Sequence, residues 1–468
     1  MAKKPLGLDT QGIQKTMRFH NYLGDGAAQL GLNALTGMVG ILVYFYTDKV
    51  GIAAAAAGTV MFAARFLDAF TDLAMGWVMD RTRSRWGRAR PWLLWMAGPT
   101  FLAVVLMFTV PAVGSDGSKF AYALATNTFA TAIVYTAVAI PFGSMLFYTT
   151  RSTEERSKMG VIRAVFGYLL GMVIVIGYIP ITNALGGDQR AWVIFAVAIG
   201  AVGAIGLVVA FLANPERNAD APEEAQQRVP FLEGLGLLFR NKYWVIMLGV
   251  MSLVNIVYGL AAGSSIYYVK WILGDENLMA VLGAVGLVPV VVGFVLIAPM
   301  VKRFGATATV RIGLLIGIAA SLVRVVFPYD LWALLIFGSL VTFATIPMMA
   351  IGGVLVTNTI TYGEWKQGRR LVGMANAANS FGIKVGTGLG AAGVGWILAL
   401  GAYDGTAAAQ PDSAIASILA VSIWVPGLVL LGMYVLLHFY DLDAKYPQIV
   451  KELDERATAA EAQRTAQV

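Results

Sequence analysis

The stretch Met61–Trp92, MFAARFLDAFTDLAMGWVMDRTRSRWGRARPW, decides how the chain is read. It is an apolar helix that carries Arg65, Asp68 and Asp72 in its middle and then breaks into a run of arginines. At 100° per residue those three charges fall within about 60° of one another, on one face. A charge at membrane depth costs roughly 2.5–3.5 kcal/mol even on a lenient scale. The strip is therefore expected to face a bundle interior or a wet cavity, where such residues mark an ion or substrate path. A blander reading lets Arg65 and Asp68, at i and i+3, neutralise each other, but it does not account for Asp72.

The rest of the composition agrees with a membrane setting. Of 468 residues, 58% are hydrophobic and only 13% are charged, against about 45–50% and 25% in soluble domains. Several apolar runs exceed 18 residues, enough to cross about 30 Å of hydrocarbon. Disulfides are excluded because the chain has no cysteine. His20 and His438 stand near opposite ends and no HExxH occurs, so neither a zinc site nor an enzyme is expected, and no cofactor. The polar, basic start precedes an apolar run with no small-residue cleavage site, which reads as a retained helix.

Hydropathy divides the chain into twelve expected spans, at about 20–46, 51–80, 92–113, 119–149, 159–182, 190–213, 242–272, 278–300, 306–327, 331–361, 371–401 and 414–439. Basic residues crowd alternate connections: Arg81 to Arg90, then Arg151 to Lys158, Lys302 with Arg303, and Lys366 to Arg370. The opposite loops are mostly acidic. By the positive-inside rule both termini are cytoplasmic, and the net charge of +7 reads as orientation, not nucleic-acid binding. The expected organisation is an N-terminal six-helix half over 1–213, a cytoplasmic linker over 214–241, a C-terminal six-helix half over 242–440 and a cytoplasmic tail over 441–468. Two such halves favour a major facilitator layout, all-α, with its site between the halves.

Two carboxylates one turn apart repel, and a low dielectric magnifies this. A proton, a bound monovalent cation, or pairing with Arg65 and Lys384 would each relieve it. Thr71 and Thr136 could add neutral oxygens around a hard ion. Both acids sit on one helix, which is poor geometry for flanking a scissile bond, so hydrolysis is set aside. In span eleven Asn376, Ser380, Lys384 and Thr387 share an arc of about 80°, a polar stripe that reads as cavity lining or as a partner for the acids. Arg163 shares its face with Gly160, Gly167 and Gly171, and reads either as a donor to a ligand or as snorkelling. Lys270 and Arg324 read as snorkelling, and Trp271 as interfacial belt. Tyr135, Asn255, Tyr258, Tyr267, Tyr268, Asn376 and Asn379 supply the donors, acceptors and rings that a sugar requires.

The Arg65–Trp92 segment strongly resembles the helix-two signature of the glycoside–pentoside–hexuronide cation symporters, the melibiose permease family. FYTDKVG at 45–51, the YxGD pattern at Tyr22–Asp25, IPFGSM at 140–145 and TYGEWKQGRR at 361–370 resemble it too. The resemblance runs from about residue 18 to 440. It implies a major facilitator fold and Na+- or H+-coupled uptake of glycosides. Asp68 and Asp72 match the family's cation-ligating aspartates and Thr136 a threonine that helps coordinate the ion. Arg163 matches an arginine of the sugar site, and Lys384 a lysine near cation and sugar. Ala139 stands where the family's best-studied members carry a sugar-binding aspartate, Gly143 where a tryptophan stacks on the sugar, and Gln29 near a further aspartate.

The cation machinery thus reads as intact and the sugar site as rebuilt. The expected protein is a monomeric, multi-pass transporter of a bacterial inner membrane, in contact with lipid and with a small sugar or glycoside. A cation-coupled lysolipid transporter of the same fold and a membrane sensor or scaffold without flux are the alternatives.

Overall fold

The computed structural model describes residues 6–8, 13–111, 114–216, 231–369 and 371–466. Most of the expected linker, 217–230, lies outside the described residues. Among those described the chain is helical, without a β-strand. Helix α1 (Phe19–Gly40) bends by 43° into α2 (Leu42–Tyr44) and a π-helical turn, Phe45–Lys49. Then come α3 (Ala54–Arg81), α4 (Arg90–Trp95), α5 (Ala97–Leu106) and α6 (Asp116–Thr128), the last running through a π-helical turn, Phe129–Tyr135, into α7 (Thr136–Thr149). Helices α8 (Thr153–Ala184), α9 (Gln189–Ala213), α10 (Phe231–Phe239), α11 (Lys242–Trp271), α12 (Leu278–Val285), α13 (Leu287–Phe304) and α14 (Ala306–Val326) follow. The last are α15 (Leu331–Gln367), α16 (Val372–Leu400), α17 (Asp412–Leu419), a π-helical turn, Ala420–Trp424, α18 (Val425–His438) and α19 (Leu442–Ala466).

Local chemistry starts these helices where the sequence supplies a cap. Ser152, Asp188 and Asp330 each accept a hydrogen bond from the backbone N–H three residues on, opening α8, α9 and α15. Nine helices among the described residues are long and apolar enough to cross a membrane, and the bent pair at the N-terminus makes a tenth. Of the other two expected spans, α3 has the length, 28 residues, but its charges dilute its apolarity. The 92–113 span is a shorter apolar helix, Arg90–Leu106.

The chain divides into two compact units. The first comprises Met1–Ala225, Ala262–Ala284 and Ala391–Ile418. Here α1 lies against α8 and α9, and the contact is close. A Cβ built on Gly206 of α9 would stand 2.3 Å from the Ala27 carbonyl oxygen, so only glycine fits. The helix ends within this unit are tied by polar side chains. Lys270 meets the buried Asp48 at 2.5 Å, and the Tyr403 hydroxyl donates to Asp48 at 2.9 Å. Trp271 donates to Tyr403 at 3.0 Å, while Tyr44 and Asn183 both donate to Glu276, at 2.9 and 2.7 Å. Lys270 and Trp271 are thus built into a network instead of reaching for a lipid interface.

The second unit comprises Gln226–Ala261, Val285–Gly390 and Leu419–Val468. Its core gathers Met247 and Val250 of α11, Leu314 of α14, Met348 and Leu355 of α15, and Leu430 of α18. Arg324, expected to snorkel, is buried and donates to the Ser422 carbonyl at 3.3 Å. The polar tail forms α19, which returns to α15: Trp365 donates to Glu452 at 2.7 Å, and Arg456 donates to the Trp365 carbonyl at 2.9 Å.

Candidate cation and substrate site

Asp68 is completely buried, whereas its neighbours Phe66, Leu67 and Phe70 are 41–52% exposed. Helix α3 therefore turns its apolar side outward and its acid inward, as the cost of charge in hydrocarbon requires. The partner element is the irregular span formed by α6, the π turn and α7. A π turn widens the helix by one residue and shifts the register after it. Thr136 is the first residue past that shift. Its hydroxyl stands 2.9 Å from Asp68 Oδ1 and 3.1 Å from Asp72 Oδ1. Thr71 donates to the Asp68 carbonyl at 3.1 Å, and its own oxygen lies 3.5 Å from that of Thr136. Arg65 reaches Asp68 Oδ2 at 3.3 Å, longer than the 2.7–2.9 Å usual for a charged pair. Tyr135 lies within electrostatic reach of Arg65, Asp68 and Asp72.

The four residues assigned to the cation from sequence thus come together: Asp68, Asp72, Thr71 and Thr136. A threonine hydroxyl has one hydrogen to give. It lies within hydrogen-bond reach of two carboxylates and can serve only one at a time. Both carboxylate oxygens lie about 3 Å from one atom, so they stand within about 6 Å of each other, close enough for like charges to repel.

A second buried acid was not assigned a role from sequence. Asp25 of α1 accepts from Arg163 of α8 through both oxygens, from Nε at 2.6 Å and Nη2 at 2.8 Å. The Asp25 side chain is 2% exposed and that of Arg163 10%. The guanidinium also stacks 3.6 Å above the Phe142 ring. Arg163 therefore points inward, with two of its N–H groups donated to Asp25. One turn along, a Cβ on Gly167 would stand 3.0 Å from Asn33 Nδ2 and 3.1 Å from Gln29 Cγ. The missing side chain leaves the room that Gln29 and Asn33 occupy. Asp25, Gln29 and Asn33 make a polar row at i, i+4 and i+8 on α1, facing Arg163 and Gly167. The only sequence signal for Asp25 was its place in the YxGD pattern inside an apolar span. At Gly143, where the family's tryptophan is replaced, an added Cβ meets no heavy atom within 4 Å, so the space beside Phe142 is open.

In the second unit Thr387 of α16 donates to Asn255 of α11 at 3.4 Å. Asn376 is exposed on α16, and Lys384 and Asn379 are half-buried. The side-chain oxygen of Asn379 is shielded and accepts no hydrogen bond.

Apolar helices that enclose paired acids on a shared hydroxyl are an arrangement suited to a membrane transporter. A family profile described as MFS/sugar transport protein matches residues 24–444, and the chain belongs to that family, within the major facilitator superfamily. It is 31% identical to the inner membrane symporter YicJ of Escherichia coli over 92% of each chain. It is 30% identical to the isoprimeverose transporter of Lactiplantibacillus pentosus, over 94% of this chain and 91% of that one. The crystal structure of the nucleoside transporter NupG superposes with a TM-score of 0.61 at 14% identity, covering 88% of this chain and 99% of that one, which shows the shared fold. The protein is a secondary active symporter of multi-pass major facilitator architecture.

Proposed function

We propose that the protein couples inward movement of Na+ to uptake of a glycoside by alternating access, in a bacterial inner membrane with both termini cytoplasmic. The observation that carries this reading is the pair Asp68 and Asp72 within reach of the single Thr136 hydroxyl. Two carboxylates with the oxygens of Thr136 and Thr71 form a hard, oxygen-only donor set suited to a monovalent ion. The ion relieves the repulsion, so its arrival and departure change what the bundle tolerates. An N-terminal half, 1–213, carries this site and offers Gln29, Tyr135 and Arg163 to the sugar, and a C-terminal half, 242–440, offers Asn255, Asn376, Asn379 and Lys384. If bound Na+ tightens the sugar, bound sugar tightens Na+ by the same factor. The protein works as a monomer.

The test is uptake by proteoliposomes under an imposed Na+ or H+ gradient, with a panel that includes isoprimeverose and simple glucosides and galactosides. Uphill accumulation driven by Na+, and lost in Asp72→Asn while the variant stays folded, is the expected result. Accumulation driven by H+ alone replaces Na+ with a proton at the same acids. Accumulation under neither gradient rejects symport.

A further inference from the structure

Lys270, Glu276 and Tyr403 belong to the 242–440 range, yet within the first compact unit each is bonded to a residue of the 1–213 range. Asp48, in the π turn Phe45–Lys49, meets Lys270 at 2.5 Å and the Tyr403 hydroxyl at 2.9 Å. The hydroxyls of Thr47 and Tyr267 lie 2.7 Å apart. Glu276, in the connection between α11 and α12, accepts from Tyr44 of α2 at 2.9 Å and from Asn183 of α8 at 2.7 Å. Backbone meets backbone across the same division. A Cβ on Gly58 of α3 would stand 2.6 Å from the Ala392 carbonyl oxygen of α16, and Trp396 donates to Thr59 at 3.2 Å. All these ties gather at one end of the helices concerned, which is the outer end in the orientation proposed above.

The chemistry of the polar ties suits a closure that reopens. The Asp48 side chain is 1% exposed and that of Lys270 26%. Burying an ion pair costs hydration comparable to the attraction it gains. Parting the two charges into water returns that hydration, so the closed and parted states differ by little. An apolar seal has no such return, because opening it only exposes apolar surface. A carrier needs its two states close in free energy, since a ligand shifts their balance only by its differential affinity for them. Glu276 strengthens the closure differently: one carboxylate joins α2 and α8 through two neutral donors. We propose that Asp48, Lys270 and Glu276 form the outer gate of the symporter, a polar latch that holds this end shut and sets how often it opens to admit sugar and ion. This rests on the alternating-access reading above and gives its outer closure named residues.

The test uses the full-length protein in lipid nanodiscs, where a chain without native cysteine accepts spin labels at chosen sites. Gly117→Cys on α6 and Ala409→Cys before α17, both at exposed positions, report the separation of the two sequence halves at this end. Gly117→Cys with Leu185→Cys is a control pair inside the 1–213 range. Double electron–electron resonance should give one dominant distance for the wild-type background. Asp48→Asn, Lys270→Gln and Glu276→Gln should each add a longer distance, its share rising about tenfold, because a hydrogen bond involving a charged group is lost from the closed state alone. The control distance should stay as it is. If a variant of the buried pair fails to fold, Glu276→Gln and Asn183→Ala read the same shift, since Glu276 is only half-buried and its partners are neutral. Three results overturn the inference: a wild type in which the longer distance already dominates, unchanged distances in the folded variants, or a control distance that lengthens with the other, which would make these residues supports of the fold. The distances are read without sugar or gradient, so the two readings fail separately. Unchanged distances beside uphill sugar uptake reject the gate and leave symport. No uptake under either gradient beside a lengthened distance rejects symport and leaves the latch.

Discussion

Two groups of buried acids lie in the same compact unit and are handled in opposite ways. Asp25 receives a guanidinium through two short bonds and a fixed plane. Asp68 and Asp72 share reach of one hydroxyl, and the nearest arginine approaches Asp68 only to 3.3 Å. The first arrangement is matched in charge and geometry. The second places two like charges within reach of one shared hydroxyl. A pair of the first kind holds helices α1 and α8 in place. A group of the second kind suits the visiting ion proposed above. The difference teaches that a buried carboxylate in a membrane bundle is not one thing: its partner's geometry tells structure from transport.

The sharpest way to break this contrast is to remove one member of the matched pair. Arg163→Ala leaves the Asp25 carboxylate buried and opposite nothing of its charge. Loss of one partner in such a pair destabilises by about 3–5 kcal/mol. Little folded, monodisperse protein is expected after extraction, and a low melting temperature. A variant that melts like the wild type would show that Asp25 is not held as the contacts indicate.

Asp68→Asn is expected to do the reverse. It removes one of two repelling charges, so its melting temperature should stay close to that of the wild type, within about 1 kcal/mol in stability. Uphill sugar accumulation should vanish. Stability lost and accumulation kept would make Asp68 a structural acid like Asp25 and erase the distinction.

Thr136→Val tests the shared hydroxyl with nearly unchanged shape. One hydrogen bond to a charged group is worth about 1.5–3 kcal/mol, so Na+ affinity should fall by roughly ten- to a hundredfold, read as the Na+ concentration that half-activates uptake. Maximal uptake at saturating Na+ should recover. An unchanged half-activating concentration would remove Thr136 from the ion site.

Much of this was legible before any coordinates. Length and apolarity gave the helices because every backbone polar group in hydrocarbon must be satisfied within its own segment. Asp68, Asp72 and Thr71 could be placed together because they share one helix, where spacing fixes the face. Thr136 lies 64 residues from Asp72, so oxygen chemistry and the family resemblance, not spacing, brought it to the acids. Asp25 and Arg163 are 138 residues apart, and Asp48 and Lys270 are 222. Periodicity says nothing about which face of one helix meets which face of another. Arg163 therefore read as a ligand donor or a snorkelling residue, and Lys270 as snorkelling, when each had a buried acid waiting on a distant helix. The π turn before Thr136 was equally hidden, since an added residue in a helix leaves no mark in composition.

A third acid–base pair calibrates the other two from the aqueous side. Asp441, past the end of α18, accepts from Lys445 at 2.6 Å and from the Tyr243 hydroxyl at 2.5 Å. Those bonds lower its pKa from 3.8 to about 2. The sign follows from linkage: any stability the pair contributes is fully present above the unfolded value of 3.8 and fades as pH falls through about 2. Both side chains are half exposed, at 52% each, so water screens their attraction and little of the shift survives as stability. Asp441→Asn should therefore leave the pH 7 melting temperature unchanged within error, and any difference from the wild type should disappear toward pH 2. The Arg163→Ala defect should persist across neutral pH. The same two charge types, placed in water and in the bundle, then give the smallest and the largest effects of the series. A large loss from Asp441→Asn would mean that burial does not rank these pairs, and the distinction between Asp25 and the Asp68–Asp72 group would lose its physical footing.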